Sequence, residues 1–177
     1  KQRGRTSYSH VVFEESIMKQ EKIFKRYKNM IMDIIQNNFV EDWKPGQKLL
    51  IFCATVEMCT KLTAYLKLMF SEFDVVRYIA EDDYSVNEKS NIIVSTLKSA
   101  GTAVDIPGLK KTLMTVAVGS RQANEQAVGR LRQLKQWPDE QPEFLYLVCV
   151  DVPSHLEYHR HKKEVLSDKI LSLKEYN

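Results

Sequence analysis

The chain has 177 residues, of which 44% are hydrophobic and 28% are charged. This composition is typical of a globular protein, and no apolar run approaches the ~20 residues that a membrane-spanning helix requires, so no membrane partner is expected. The 26 lysines and arginines exceed the 23 acidic residues by a net charge of +3. Such a small excess excludes nucleic-acid binding by bulk charge, and any contact of that kind must be local.

Cysteine content and the first residues bear on the cellular setting. Cys53, Cys59 and Cys149 are an odd number of cysteines in apolar or helical surroundings. They suit reduced core thiols better than a disulfide framework, which predicts an intracellular location: cytoplasm, nucleus or, for a viral source, the host cell. The chain opens at Lys1 without a methionine or a signal-peptide pattern, and is expected to be part of a longer protein.

The first predicted element is a long amphipathic helix over residues 14–37, followed by a Trp-Lys-Pro-Gly turn. The apolar run at 49–54 predicts a strand buried on both faces, and Thr55 is expected to cap a helix over 57–70. Further strands are predicted at 75–79, 92–95, 113–118 and 144–150, with helices at 123–134 and from Pro153 almost to Tyr176.

Strands that alternate with helices predict an α/β fold, an open parallel sheet with helices on both faces. Residues 1–45 are assigned to an N-terminal extension with the long helix, and residues 46–177 to the α/β domain, which ends in a C-terminal helix. In such a sheet the loops after the carboxyl ends of the strands share one rim. We therefore expect the segments after Thr55, Ser95, Gly119 and Asp151 to lie together.

Two segments have residues suited to phosphate chemistry. The segment 95–109 reads Ser-Thr-Leu-Lys-Ser-Ala-Gly-Thr-Ala-Val-Asp-Ile-Pro-Gly-Leu. Its small residues let backbone amides approach a phosphate, and Asp105 can accept hydrogen bonds from a ribose hydroxyl. The segment 126–132 reads Gln-Ala-Val-Gly-Arg-Leu-Arg. Arginine suits a phosphoryl group that develops charge in a transition state, because its donors form a rigid fork and its charge is permanent.

In this order and spacing the two segments resemble motifs V and VI of superfamily-2 helicases and translocases, and residues 49–55 resemble motif IV. The resemblance implies the second RecA-like domain of such a motor. Arg130 is then the expected arginine finger, and Asp105 is expected to face the ribose. The resemblance further implies nucleic-acid contacts at Thr55, Ser95, Thr96 and Lys98, nucleotide contacts at Gly101, Asp105 and Gly129, and catalytic roles for Gln126, Arg130 and Arg132.

The sequence also departs from the motifs of this family. Many members read Gln-x-x-Gly-Arg-x-x-Arg, whereas here Gln133 stands at the last position and Arg132 precedes it. On a helix this shift turns the side chain by ~100°. Arg132 therefore either replaces the usual arginine or faces solvent. In motif V, Ala103 replaces a frequent glycine.

A complete ATPase site is not expected in this chain. The sequence contains neither a Gly-x-x-x-x-Gly-Lys-Ser/Thr loop nor an acidic metal-binding box. ATP and Mg²⁺ are therefore expected to be held mainly by an N-terminal RecA-like domain of the same protein, and this domain is expected to be inactive alone. Residues 155–160 resemble the ending of phage branch-migration helicases, which favours DNA over RNA as the partner and a phage or viral type.

Other interpretations stay open at this point. A non-catalytic RecA-like module that binds nucleic acid or a protein is the alternative function, and a motor that translocates on duplexes without separating strands is a third. His155 and His159 are four residues apart but lack the His-Glu-x-x-His order, so no metal site is predicted. Solvated positions are predicted for Lys61, Lys67, Lys162 and Lys163.

Overall fold

The computed structural model describes residues 8–80, 82–83, 85–99 and 105–176. The strands are β1 (Lys48–Cys53), β2 (Val75–Tyr78), β3 (Ile92–Thr96), β4 (Leu109–Met114) and β5 (Glu143–Tyr146). They form one sheet in the order β2-β3-β1-β4-β5, in which every neighbouring pair is parallel. The predicted parallel sheet is confirmed.

Helices cover both faces of this sheet. They are α1 (His10–Lys19), α2 (Glu21–Ile35), α3 (Val56–Met69), α4 (Val86–Lys89), α5 (Arg121–Val128) and α6 (Pro153–Leu166), with a π-helical turn at Gln36–Val40. Within the described part of the chain, none of these helices has the length and apolar character needed to cross a membrane.

The central strand β1 divides the core in two. All six of its residues are buried, as expected for a strand covered on both faces. Because successive side chains of a strand point to opposite faces, Leu49 and Ile51 pack with α2 and α3. Leu50 and Phe52 pack on the other face with Ala127 of α5. The segments that resemble motifs V and VI therefore flank one face of the sheet.

The predicted single helix over residues 14–37 is wrong in its continuity. The chain forms α1 and α2 with a break at Gln20, whose φ of −109° and ψ of 96° are extended. α2 then runs into the π-helical turn, where the Glu41 N–H donates to the Gln36 carbonyl at 3.2 Å. The apolar spacing continues through Gln20 without a glycine or proline, so the pattern did not reveal the break.

β4 both begins and ends earlier than the predicted strand over 113–118, which is a second error. Its first half contains Lys110 and Lys111, each 4% exposed. Lys110 Nζ lies 3.1 Å from a Glu140 carboxylate oxygen, and Lys111 Nζ lies 3.0 Å from Glu143. These carboxylates compensate the burial of the two amines. A stretch with two adjacent lysines is therefore part of the sheet.

Two predicted elements near the end of the chain are too long. The strand expected over 144–150 stops at Tyr146, because its partner Met114 is the last residue of β4. The helix expected almost to Tyr176 stops at Leu166. Beyond it, Lys169 Nζ binds a Glu125 carboxylate oxygen at 2.5 Å, so the tail turns back towards α5.

Lys162 is buried, contrary to the solvated position predicted for it. Its residue is 3% exposed, and its Nζ lies 4.2 Å from the centroid of the Tyr146 ring and 3.6 Å from Met114 Sδ. Burial lowers the pKa of Lys162 to about 8. The aromatic face offsets part of the desolvation of the ammonium group. Lys61, by contrast, is exposed as predicted and pairs with Glu57 at 2.7 Å.

Glu140 joins the turn before β1 to β4. One carboxylate oxygen pairs with Lys44, and the other accepts from Gln47 Nε2 at 2.8 Å and lies 3.1 Å from Lys110 Nζ. These contacts, with Lys44 the largest cause, lower the pKa of Glu140 to about 2. A carboxyl whose pKa falls on folding stabilises the protein above its unfolded pKa of ~4.3, and loses that contribution as the pH drops towards 2.

Glu140→Gln is therefore expected to lower the free energy of unfolding at neutral pH and to flatten its decline between about pH 5 and pH 2. Urea unfolding across this range measures both effects. The matched control is Glu157→Gln, which removes an exposed carboxylate of α6 and should leave the decline unchanged. Equal acid sensitivity of Glu140→Gln and the wild type would contradict the assignment.

Candidate nucleotide and nucleic-acid interface

The loop after β1 contains Thr55, which caps α3 as predicted. Thr55 Oγ1 accepts from the Met58 N–H at 3.1 Å. The same loop binds a carboxylate from α1: Glu14 Oε1 accepts from the Thr55 N–H at 2.7 Å and from the Thr55 O–H at 2.8 Å. Glu14 Oε2 accepts from the Ala54 N–H at 2.9 Å. The donors at the tip of β1 are thus occupied from within the chain.

Glu14 is a site residue that the sequence analysis missed. It is 4% exposed, and its burial raises the pKa of its carboxyl while the hydrogen bonds from Ala54 and Thr55 oppose that shift. Its position three residues before the buried Ile17 places it on the buried face of α1. An acidic residue on the apolar face of a predicted helix was the signal that could have identified it.

The loop after β3 is held by its own hydroxyl groups. Ser95 and Thr96 are buried. The Thr96 O–H donates to Ser99 Oγ at 2.8 Å, Thr96 Oγ1 accepts from the Ser99 N–H at 3.0 Å, and Ser99 Oγ accepts from the Ala80 N–H at 3.1 Å. Lys98 is exposed between them. Ser95 and Thr96 stay predicted nucleic-acid contacts, and Lys98 is the residue of this set whose charge reaches solvent.

A cleft of about 420 Å³ lies at the carboxyl edge of the sheet. The loop after β3 contributes Leu97 and Lys98, the loop after β4 contributes Gly119 and Ser120, and α6 contributes Tyr158. The predicted common rim is confirmed for the segments after Ser95 and Gly119 and for the helix that follows Asp151. A cationic side chain and an aromatic ring therefore share one concave surface.

Asn124 positions the loop between β4 and α5, and the sequence analysis missed it too. It is fully buried, and its Nδ2 donates to the Val118 carbonyl at 3.2 Å and to the Ser120 carbonyl at 3.0 Å. Ser120 caps α5 by accepting from the Ala123 N–H at 3.2 Å. A buried side-chain amide bonded to two loop carbonyls orients this wall of the cleft.

The helix predicted over 123–134 is wrong at its end, because α5 stops at Val128. The Gly129 N–H donates to the Glu125 carbonyl at 2.8 Å, and a Cβ added to Gly129 would lie 2.9 Å from that same oxygen. The tight end of the helix thus requires glycine. Arg130 and Arg132 lie beyond the helix, so the ~100° rotation expected for Arg132 on a helix does not apply.

The two arginines form a local concentration of positive charge. Arg130 is half-buried, whereas Arg132 and Gln126 are exposed. Burial, and then the neighbouring charge of Arg132, lower the pKa of Arg130. Two guanidinium groups that disfavour each other's charge are stabilised by an anion placed between them. Neighbouring guanidinium groups supply the kind of donors that a phosphate group binds.

The residues that follow Asp105 and Arg130 in the chain pack on the same face of the sheet. Asp105 is exposed and precedes Ile106, and Arg130 precedes Leu131. Ile106 and Leu131 belong to one apolar cluster on the α5 face. The nucleotide contact predicted at Gly101 falls outside the described residues. Ala123 of α5 lines the carboxyl-edge cleft and also packs against this apolar cluster.

The two histidines of α6 bind protein groups. His155 Nδ1 accepts from the Cys149 N–H at 3.1 Å, and its Nε2 lies 2.7 Å from the Tyr8 hydroxyl oxygen. His159 Nδ1 lies 2.9 Å from the Tyr146 hydroxyl oxygen. In the ranges that the structure describes, no three His, Cys, Asp or Glu residues are grouped to hold a metal ion. The His155 contact instead ties the first described residues to α6.

No family model and no curated protein matches the sequence, but solved structures match through the fold. The alignment with the C-terminal part of the Fun30 ATPase domain covers 86% of this chain and 54% of the Fun30 chain, with a TM-score of 0.55 at 12% sequence identity. Domain 2 of the DEAD-box helicase Mss116p, solved bound to an RNA duplex, matches 78% and 53%, with a TM-score of 0.56 at 18% identity. The helicase Lhr of Mycobacterium smegmatis, solved bound to ssDNA and AMP-PNP, matches 82% and 19%, with a TM-score of 0.54 at 13% identity.

The fold is RecA-like. The α/β class predicted from the alternation of elements is therefore confirmed, and the fold resembles that of helicase C-terminal domains. At identities of 12% to 18% this likeness concerns the path of the chain and not individual side chains. The chain spans about half the length of the Fun30 and Mss116p chains that it matches.

Proposed function

We propose that this chain is the second RecA-like domain of an ATP-dependent superfamily-2 helicase or translocase. In this function it contributes nucleic-acid contacts at the carboxyl edge and an arginine finger, and does not hydrolyse ATP alone. The observation that carries the proposal is the shared cleft, in which Lys98 after β3 and Gly119 after β4 line one surface of a RecA-like sheet. Likeness to helicase domains solved with an RNA duplex or with ssDNA supports it.

The arginine pair is the proposed contact for the terminal phosphate of the nucleotide. Burial, and then the charge of Arg132, lower the pKa of Arg130, and a bound anion would oppose both effects. Arginine binds phosphate through paired donors. Gln126 lies one turn earlier, is exposed, and is assigned to the same phosphate with Arg130 and Arg132. Asp105 is assigned to the ribose by the resemblance to motif V, and its neighbour Ile106 packs in the same apolar cluster as Leu131, which follows Arg130. Gly129 acts through the shape of the helix end that presents Arg130.

The preceding RecA-like domain completes the proposed site. It would hold ATP and Mg²⁺, because this sequence contains no phosphate loop and no acidic box. Bound ATP supplies the free energy that drives closure of the two domains. Closure and reopening would displace the loop of Thr96 and Lys98 relative to the preceding domain, which moves the motor along a strand.

DNA is the proposed partner in preference to RNA, on the resemblance of residues 155–160 to the ending of phage helicases. The phage or viral type stays a prediction, as does the intracellular location. The assigned contacts are to the backbone, which has no base information. No preference for a base sequence is therefore expected.

Lys98→Ala is expected to weaken single-stranded DNA binding and to lower the slope of log affinity against log salt by about 0.7, because one cation–phosphate contact is lost. Anisotropy titrations of a labelled oligonucleotide at several salt concentrations measure both quantities. The matched control is Lys67→Ala, which removes an exposed lysine in the last turn of α3, at the end of the helix away from Thr55. This variant should keep the wild-type slope. Identical slopes for Lys98→Ala and the wild type would exclude this contact.

A non-catalytic RecA-like module is the second candidate, favoured by Gln133 at the position of the last motif VI arginine. Such a module would bind nucleic acid or a protein partner without coupling to ATP turnover. Nucleic-acid-stimulated ATP hydrolysis by the parent protein distinguishes the two candidates. Stimulation favours the motor, and its absence in the presence of intact binding favours the module.

A further inference from the structure

Residues 8–14, which we call the N-terminal strap, cross the carboxyl edge of the sheet. At one end the Tyr8 hydroxyl oxygen lies 2.7 Å from His155 Nε2 on α6. At the other end Glu14 binds the tip of β1. Between them, Tyr8 and His10 line the cleft beside Lys98. The strap thus binds the loop of Thr55 and borders the cleft that Lys98 lines, and the proposed function assigns both to nucleic acid.

The contacts of Glu14 have the chemistry of a bound phosphate oxygen. An anionic group accepts from two backbone N–H groups and one hydroxyl, those of Ala54 and Thr55, which are donors that proteins offer to phosphodiesters. A phosphate that bound Thr55 would require these same donors. The carboxylate and the phosphate therefore exclude each other at the tip of β1.

The strap contains no fully buried apolar side chain, although the Tyr8 and Phe13 rings pack against the His155 ring with centroids 5.1 and 4.8 Å away. The buried residues of α1 are Glu14 and Ile17, and Val12 is 61% exposed. The attachment at the start of α1 thus consists of the Glu14 hydrogen bonds, the Tyr8–His155 hydrogen bond and the ring contacts of Tyr8 and Phe13 with α6. An incoming anion can replace the first of these without exposing a large apolar surface.

We propose that the N-terminal strap is an intramolecular competitor of nucleic acid, and that Glu14 must leave the Ala54 and Thr55 donors before a phosphodiester binds there. This inference rests on the proposed function. The apparent affinity for a nucleic-acid strand is then the intrinsic affinity multiplied by the fraction of molecules in which the strap is released.

Glu14→Ala is expected to bind a labelled single-stranded DNA about ten-fold more tightly than the wild type, because the competing charge-assisted hydrogen bonds are absent. The matched control is Glu15→Gln, which removes the same charge from the next residue of α1 and should change affinity by about two-fold or less. Both variants are compared in the whole 177-residue chain by anisotropy. In the wild type, adding the oligonucleotide should increase hydrogen exchange at the amides of α1.

The outcomes separate this inference from the function on which it rests. If the wild type binds the oligonucleotide but Glu14→Ala binds it no more tightly than Glu15→Gln does, the strap is not a competitor. Unchanged hydrogen exchange in α1 on binding would refute the inference in the same way. No binding by any of the chains would refute the proposed function itself. If Glu14→Ala does not fold, Glu14→Gln keeps the side-chain size and one acceptor oxygen, and the same comparison with Glu15→Gln applies.

Discussion

Replacing Arg130 with alanine in the full-length protein is expected to reduce nucleic-acid-stimulated ATP turnover by about 10³-fold or more, the effect typical of losing an arginine finger. The cause is the loss of the guanidinium proposed to stabilise charge on the transferred phosphoryl group. Arg130→Lys should restore little activity, because an ammonium lacks the planar fork of donors. The fold should survive both changes, since Arg130 is only half-buried.

Steady-state ATPase assays with saturating single-stranded DNA measure this effect, and urea unfolding checks the fold. The matched control is Lys135→Ala, which removes an exposed cation from the same segment after α5 and should leave turnover close to the wild type. Unchanged turnover in Arg130→Ala would remove this residue from the catalytic role. An equal loss in Lys135→Ala would indicate a general charge effect.

Gly108→Ala is expected to lower the free energy of unfolding by about 3 kcal/mol, from a left-handed backbone and a steric overlap together. Gly108 has a φ of +79°, and an added Cβ would lie 2.2 Å from the Gly46 carbonyl oxygen. The Gly108 carbonyl also accepts from the Lys48 N–H at 2.8 Å. The turns before β1 and β4 therefore touch backbone to backbone, and a side chain would separate them.

Gly46→Ala separates the two causes. Gly46 shares the left-handed conformation, with a φ of +93°, but its added Cβ would first meet the Trp137 side chain, at 3.3 Å from Cη2. A loss of about 1–2 kcal/mol is therefore expected from conformation alone. Urea unfolding of both variants provides the comparison. A Gly108→Ala variant no less stable than Gly46→Ala would show that the backbone contact does not require glycine.

Local patterns predicted the elements that are uniformly apolar. β1 lies within one residue of its predicted bounds, because all its side chains are buried on a covered strand. Thr55 was predicted as a helix cap from its position alone, and it accepts from the Met58 N–H. Both features depend only on neighbouring residues, so the sequence is enough to predict them.

Elements whose burial depends on distant partners were predicted less well. Lys110 pairs with Glu140 and Lys111 with Glu143, so the charged start of β4 was excluded from the predicted strand. α5 was extended too far because Leu131 and Leu134 continue the helical spacing of Ala127. Leu134 is buried in an irregular segment. The spacing of apolar residues indicates which side chains are buried, and side chains outside helices can be buried with the same spacing.

The sequence by itself determined the order of the five strands along the chain, the parallel sheet and the resemblance of its loops to motor motifs. Periodicity and short motifs are properties of neighbouring residues, so the sequence alone is enough to identify them. Only the tertiary structure decided that Glu14 occupies the donors of Thr55 and that Lys162 is buried against Tyr146. These contacts join residues that are far apart in the chain. Which residues meet is decided by how the helices and strands pack, and the spacing of neighbouring residues does not predict it.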